Sequence, residues 1–218
     1  MINQTAKILN ASGDPITGLR MIEAAGRTCY ASRDKITEDS YKLFIKRCIE
    51  REHESPLEFC DMIFEIETSR AVLAELTRHR LASFCVESQR YIQEAKSGEI
   101  TYIQPTWYIE KEEKVGQCEI FQASLIWKSA IEFSETMYKR LIDKGCKPEQ
   151  AREVLPNSTA CRLVMKANLR EWRHIFKLRT SMAAYPQMRE LMTMMLNEAH
   201  EKYPIIFDDI YEEAMKNE

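Results

Sequence analysis

The sequence predicts a mixed α/β chain of the α+β type, built around a mainly antiparallel sheet. Three observations lead there. DMIFEIETS and ACRLVMKA alternate apolar and polar residues with the period of a half-buried strand. Around them lie segments whose apolar residues recur at helical spacing. The two kinds of segment follow no regular β-α-β rhythm, which argues against a parallel sheet. At 218 residues the chain can bury a substantial core, and 1–218 is expected to form one domain.

Taken in order, TAKILNAS is a short first strand. GLRMIEAAGRTCY and TEDSYKLFIKRCIEREH are helices, the second opened by a capping pattern of Thr37 with Ser40. In DMIFEIETS, Met62, Phe64 and Ile66 oppose Ile63, Glu65 and Glu67. RAVLAELTRHR turns helical, which places 78–80 near a helix C-terminus, where the dipole favours cations. EITYIQPTWYI is a further strand, cut by Pro105. A long helix is expected over 110–143, with Ile120, Trp127, Ile131, Tyr138 and Leu141 on one stripe and Gly145 as its stop. KPEQAREVLP is a short helix between Pro148 and Pro156. ACRLVMKA is the last strand, and NLREWRHIFKLR and PQMRELMTMMLNEAHEKY are helices.

Composition excludes several function classes. Charged residues make up 30% and the net charge is -3, so a polyanion would need a local basic patch and general nucleic-acid binding is not expected. The seven cysteines are scattered without a C-x-x-C pair, which fits a reducing cytoplasm better than a disulfide framework or a zinc ribbon. The N-terminal residues carry no signal-peptide pattern, and no apolar run reaches the roughly 20 residues of a membrane span.

One stretch stands apart. RHRLASFCVESQRY, 78–91, holds Arg78, His79, Arg80 and Arg90 against Glu87, with Glu75 just upstream. Guanidinium forks suit phosphate or carboxylate oxygens, Ser83 and Ser88 add hydroxyls, and Tyr91 can stack on a ring. The alternative is a salt-bridged helix end, but the carboxylates nearby are too few, so an anionic small molecule is favoured. In NLREWRHIFKLR, Leu169, Trp172 and Phe176 form a core stripe whose next position is Arg179. Arg170, Arg173, His174 and Lys177 line the other side as a cationic face, solvated in the simplest case. His53, Glu54 and Glu58 invite a metal, but H-E-x-x-H fails at Leu57. No metal is expected; Ser55-Pro56 instead looks like a helix start with Glu58 reaching back. Cys85, between Phe84 and Val86, is expected to be a small buried hydrophobe. No glycine-rich phosphate loop exists, so a dinucleotide would be held by side chains and helix ends.

RHRLASFCVESQRY matches the R-H-R, seven residues, Ser signature of the flavin-dependent thymidylate synthases, as Arg78-His79-Arg80 followed by Ser88. HESPLEF upstream, AREVLPNS at 151–158, and NLREWRHIFKLRTS with PQMRE downstream fit the same family in order. The resemblance is firm over 51–91 and 147–190 and weak over 92–146. It implies a central sheet flanked by helices and methylation of deoxyuridine monophosphate (dUMP) to thymidylate. The methylene would come from methylenetetrahydrofolate and the hydride from NADPH through bound FAD, in a homotetramer with shared active sites. It assigns Ser55, Arg78, His79, Arg80, Glu87, Asn168, Arg170 and His174 to FAD. It assigns Glu75, Arg78, Glu87, Ser88, Arg90, Arg152 and Arg179 to the nucleotide, with Arg179 the catalytic cation facing the uracil ring.

That role would explain why an arginine ends an apolar stripe. A cation beside N3 and O2 stabilises the electron-rich pyrimidine whose C5 attacks. Neither Cys85 nor Ser88 is then expected to bond covalently to substrate. The chain departs from the family at three places: Ser83-Phe84-Cys85-Val86-Glu87-Ser88 shifts the acid of Ser-x-Asn-Glu-x-Ser by one, position 75 is Glu for Gln, and Tyr185 stands for His. The competing class is a single-stranded nucleic-acid binder using Arg78, Arg80, Arg90 and Tyr91, which the acidic balance opposes.

Overall fold

A computed structural model describes residues 1–9, 14–89, 100–111 and 116–216. Its contacts divide the chain into two compact units. One comprises Met1–Gln4, Glu67–Glu75 and Val86–Arg162; the other comprises Thr5–Ile66, Leu76–Cys85 and Leu163–Glu218. Among the described residues no helix is long and apolar enough to cross a membrane.

Four strands, β1 (Thr5–Ile8), β2 (Asp61–Ser69), β3 (Ala82–Val86) and β4 (Ala160–Asn168), form an antiparallel sheet in the order β1-β2-β4-β3. The alternation read from sequence sets their faces: Met62, Phe64 and Ile66 of β2, and Cys161, Leu163, Met165 and Ala167 of β4, are buried. Burial also pushes the Cys161 thiol up to about 11, so it stays protonated core. Register is marked on the opposite face by cross-strand pairs, Lys7–Glu65 at 2.7 Å and Lys166–Asp61 at 2.6 Å. A one-residue slip would turn every buried side chain to the other face, which fixes the pairing more firmly than these half-exposed ion pairs do.

The helices are α1 (Pro15–Cys29), α2 (Ser40–Glu50), α3 (Arg70–Leu76), α4 (Cys118–Asp143), α5 (Pro148–Ala151), α6 (Leu169–Arg179), α7 (Pro186–Lys202) and α8 (Pro204–Met215). In the second unit α6 is the organising helix. Its Trp172 stacks against Phe176 at 5.4 Å, meets Phe64 of β2 edge-on at 5.1 Å, and donates its indole N–H to the Met62 carbonyl at 2.9 Å. Phe176 in turn meets Phe207 of α8 at 5.5 Å. The predicted stripe of Leu169, Trp172 and Phe176 is therefore the core contact of this unit.

The first unit has its own core, in which Ile131 and Tyr138 of α4 join Ile100, Tyr102 and Ala151. The long helix begins at Cys118, not at 110: Gly116, at φ +93° in the left-handed region, stands just before the N-cap Gln117, and the Ile109 N–H donates to the Ser124 hydroxyl on the helix flank. Ile120 is exposed, while Ser124 shares the buried face with Ile131 and Tyr138. Gly145 does stop the helix: at φ +88° it sits in the left-handed region, with Gly145 N–H on the Ile142 carbonyl and Cys146 N–H on that of Leu141. EITYIQPTWYI contracts to isolated bridges, Ile103 with Ile2 and Tyr102 with Thr159. At α2 the expected cap is inverted: the Ser40 hydroxyl receives the Thr37 N–H at 2.8 Å, and the helix starts only at Ser40.

Candidate active site

The R-H-R residues lie just beyond α3. The His79 N–H closes a turn on the Leu76 carbonyl at 3.1 Å, which sends the imidazole inward and leaves Arg78 and Arg80 exposed on either side of it. His79 is 6% exposed. There it meets the C-terminal residue of α6: Arg179 donates its Nε–H to His79 Nε2 at 3.1 Å. Two segments a hundred residues apart, each singled out by its arginines, thus join at one hydrogen bond.

The imidazole is held neutral. Burial, reinforced by the Arg179 guanidinium and by His174, lowers its pKa from 6.5 to about 4. Because Nε2 accepts from Arg179, Nδ1 carries the proton. Nδ1 faces Glu171 Oε1 at 3.9 Å, and the His174 ring lies 6.4 Å away, edge to face. Glu171 is buried, and desolvation raises its pKa. Sequence reasoning passed over Glu171; its only signal was its place three residues after Asn168, the N-cap of α6, whose Oδ1 accepts the Glu171 N–H at 2.9 Å. Among the described residues, ligand-type atoms of His79, Glu171 and His174 come within 4.8 Å of one another. With Nε2 given to a guanidinium and the proton on Nδ1, His79 offers no free lone pair, and a metal cation would have to settle beside the Arg179 charge.

Helix α6 carries two further predicted residues and one correction. Asn168 caps it, as above. Arg170 pairs with Glu58 at 2.5 Å, so Glu58 does not reach back to cap the short 3-10 turn Ser55–Phe59. Arg173, expected on a solvated cationic face, is 2% exposed. Its Nε donates to Glu54 at 2.9 Å, and its terminal nitrogens take both oxygens of Asp209 at 2.8 Å and the Ile206 carbonyl. Burial opposes the charge, but Asp209 and Glu54 more than offset it and raise the pKa.

Ser55 and Arg170 line a cleft of about 650 Å³ together with Arg27, Lys35, Arg47 and Arg51. Arg27 is held by Glu23 at 3.0 Å and Arg170 by Glu58, while Glu54 is spent on Arg173. That leaves Lys35, Arg47 and Arg51 against Glu52 among the charged lining residues. Glu52, which lines this cleft, sits at φ 58°, a left-handed conformation that a non-glycine residue keeps where the surroundings demand it. The donor set fits an anionic group such as a pyrophosphate.

Of the remaining predicted residues, Glu75, Glu87, Ser88 and Arg152 belong to the first unit. Glu75 is half-buried on α3, Ser88 is half-buried beyond β3, and Arg152 opens a 3-10 turn after α5. Glu87 is exposed; its backbone N–H donates to the Arg162 carbonyl at 2.8 Å and its carboxylate accepts the Arg162 N–H at 3.3 Å, which ties it to β4. Arg90 lies outside the described residues. Cys85, expected in the core, is exposed on β3.

Comparison with known proteins agrees with these motifs. The family profile described as Thymidylate synthase complementing protein matches residues 15–205. The chain belongs to the flavin-dependent thymidylate synthase family. A Mycobacterium phage L5 protein named "Probable flavin-dependent thymidylate synthase" is 34% identical over 197 residues, covering 87% of this chain and 79% of its own. The flavin-dependent thymidylate synthase of Pyrococcus abyssi is 33% identical over 200 residues, covering 91% and 77%. In structure, the UMP/dUMP methylase PolB from Streptomyces cacaoi, solved with 5-Br dUMP, superposes with a TM-score of 0.75 at 25% identity over 95% of this chain and 94% of its own.

Proposed function

We propose that this member of the flavin-dependent thymidylate synthase family is an active synthase that methylates dUMP to thymidylate. FAD is its cofactor, with NADPH and methylenetetrahydrofolate as co-substrates. The observation that carries this reading is the bond from Arg179 to His79, which brings together two segments that the resemblance assigns to one site. On this reading both units form one synthase domain, and the protein works as a cytoplasmic homotetramer.

Ser55, Arg170 and the cations of the adjoining cleft would hold the anionic part of FAD, joined by Arg78, His79, Arg80, Asn168 and His174. When bound, FAD supplies the hydride that NADPH provides. The chain's own groups bind and orient. Arg179 stabilises negative charge on the pyrimidine beside N3 and O2, which raises the nucleophilicity of C5. Its planar, permanently charged fork is suited to that task, and its Nε–H is committed to His79, which fixes the plane of the guanidinium. His79, neutral near physiological pH, is an acceptor there and does not add a third charge to the Arg78–Arg80 pair. Glu75, Ser88, Arg90 and Arg152 are the nucleotide's other partners. The exposed Cys85 forms no bond to substrate; flavin-independent thymidylate synthases use a cysteine thiolate at this step.

Protein purified without added cofactor should be yellow and lose its colour on denaturation. It should release tritium from C5-labelled dUMP only when NADPH and methylenetetrahydrofolate are both present. Bound flavin with no tritium release under those conditions would show a flavoprotein without synthase activity.

A further inference from the structure

Three groups meet along one flank of α6: the Arg179 guanidinium from its last turn, the His79 imidazole, and the Glu171 carboxylate from its first turn. The ring receives the Arg179 Nε–H on Nε2 at 3.1 Å and turns Nδ1 toward Glu171 Oε1 at 3.9 Å. We propose that Glu171 is a positioning residue, which holds His79 in its Nδ1–H tautomer and thereby fixes the orientation of Arg179.

A neutral imidazole has one N–H and one lone pair, and which nitrogen carries which depends on its neighbours. In the Nδ1–H form the N–H dipole points at a carboxylate and the lone pair meets a guanidinium N–H. In the Nε2–H form both ends are opposed: a lone pair faces Glu171, and an N–H faces the N–H of Arg179. Glu171 and Arg179 therefore select the same tautomer from opposite sides. Burial strengthens the selection, since His79 is 6% and Glu171 8% exposed and little water screens them. Glu171 is itself held in place, because its backbone N–H is the one that Asn168 caps. Arg170 and His174 are the other charged or titratable groups whose fields reach Glu171, and both lie on α6.

The tautomer can be measured without substrate. The chain has four histidines, so 15N-histidine labelling of the protein as purified gives a short spectrum, and His79→Gln identifies the His79 signals. Glu171→Gln keeps the shape but offers both a donor and an acceptor to Nδ1. It should give His79 signals intermediate between the two tautomers, while Glu171→Asp, which restores a carboxylate, should return them toward wild type. The consequence for substrate rests on the function proposed above: the KM for dUMP should rise about tenfold in Glu171→Gln, the scale of one contact to a charged group, with flavin content unchanged. His79 signals in Glu171→Gln that coincide with wild type would overturn the inference. Failure of the wild-type protein to bind dUMP would instead count against the proposed function and leave the tautomer result standing.

Discussion

Two arginines of one helix, six residues apart on α6, have opposite settings. Arg173 is sealed in the core, with Glu54 on one nitrogen and the Asp209 carboxylate on two others. Arg179 is half-buried at the helix end and donates to an uncharged imidazole. The first arrangement neutralises a buried charge with carboxylates and locks α6 to the segments carrying Glu54 and Asp209. The second keeps a guanidinium oriented by a neutral partner, which is what a site that must stabilise developing negative charge requires. On the proposed function, residue type alone does not separate the structural from the functional arginine; the chemistry of the partner does.

Removing each arginine in turn separates the two settings. Arg173→Ala leaves two carboxylates facing a void and should cost about 3–5 kcal/mol, roughly 10 °C in a thermal melt. Arg179→Ala should melt within a few degrees of wild type yet lose about 10²–10³-fold in kcat for thymidylate formation. If the two variants exchanged these phenotypes, the assignment of roles would be wrong.

Acid sharpens the contrast further. The pKa of His79 is depressed from 6.5 to about 4, so its contribution to stability is whole above pH 6.5. As pH falls from 6.5 toward about 4, the unfolded imidazole takes a proton that the folded one refuses, and stability drops by on the order of 3 kcal/mol in all. Glu171, whose pKa burial raises, takes its proton more readily when folded and acts in the opposite sense toward the acid end of that window. Urea midpoints measured across the window should therefore fall for wild type, and the slope should flatten in His79→Gln. The smallest effect belongs to the cap: Asn168→Ala should cost about 1 kcal/mol in urea unfolding, since it removes one N-terminal hydrogen bond of α6.

What could be foreseen from the sequence follows from the range of the forces involved. β2 and β4 were legible because alternation is local, and the core stripe of α6 because three residues carry it. Arg179 was visible as a break in that stripe. Arg173 was not, because its partners come from 119 and 36 residues away and no local pattern records them. Glu171 escaped for the same reason: its significance comes from a histidine on another segment. The start of α4 was misplaced because the charged residues upstream of it are good helix formers, whereas Gly116 takes a left-handed φ of +93° just before the N-cap Gln117. The cation-rich cleft around Ser55 draws on α1, α2 and the turns after them, so composition could count its charges but not gather them.

The most direct test is a crystal structure of the protein with FAD and dUMP bound. The Arg179 guanidinium should lie on the pyrimidine edge at N3 and O2, with its Nε–H still on His79 Nε2 and Arg173 unchanged between Glu54 and Asp209. A pyrimidine bound away from Arg179, with that side chain turned to solvent, would contradict the role proposed for Arg179.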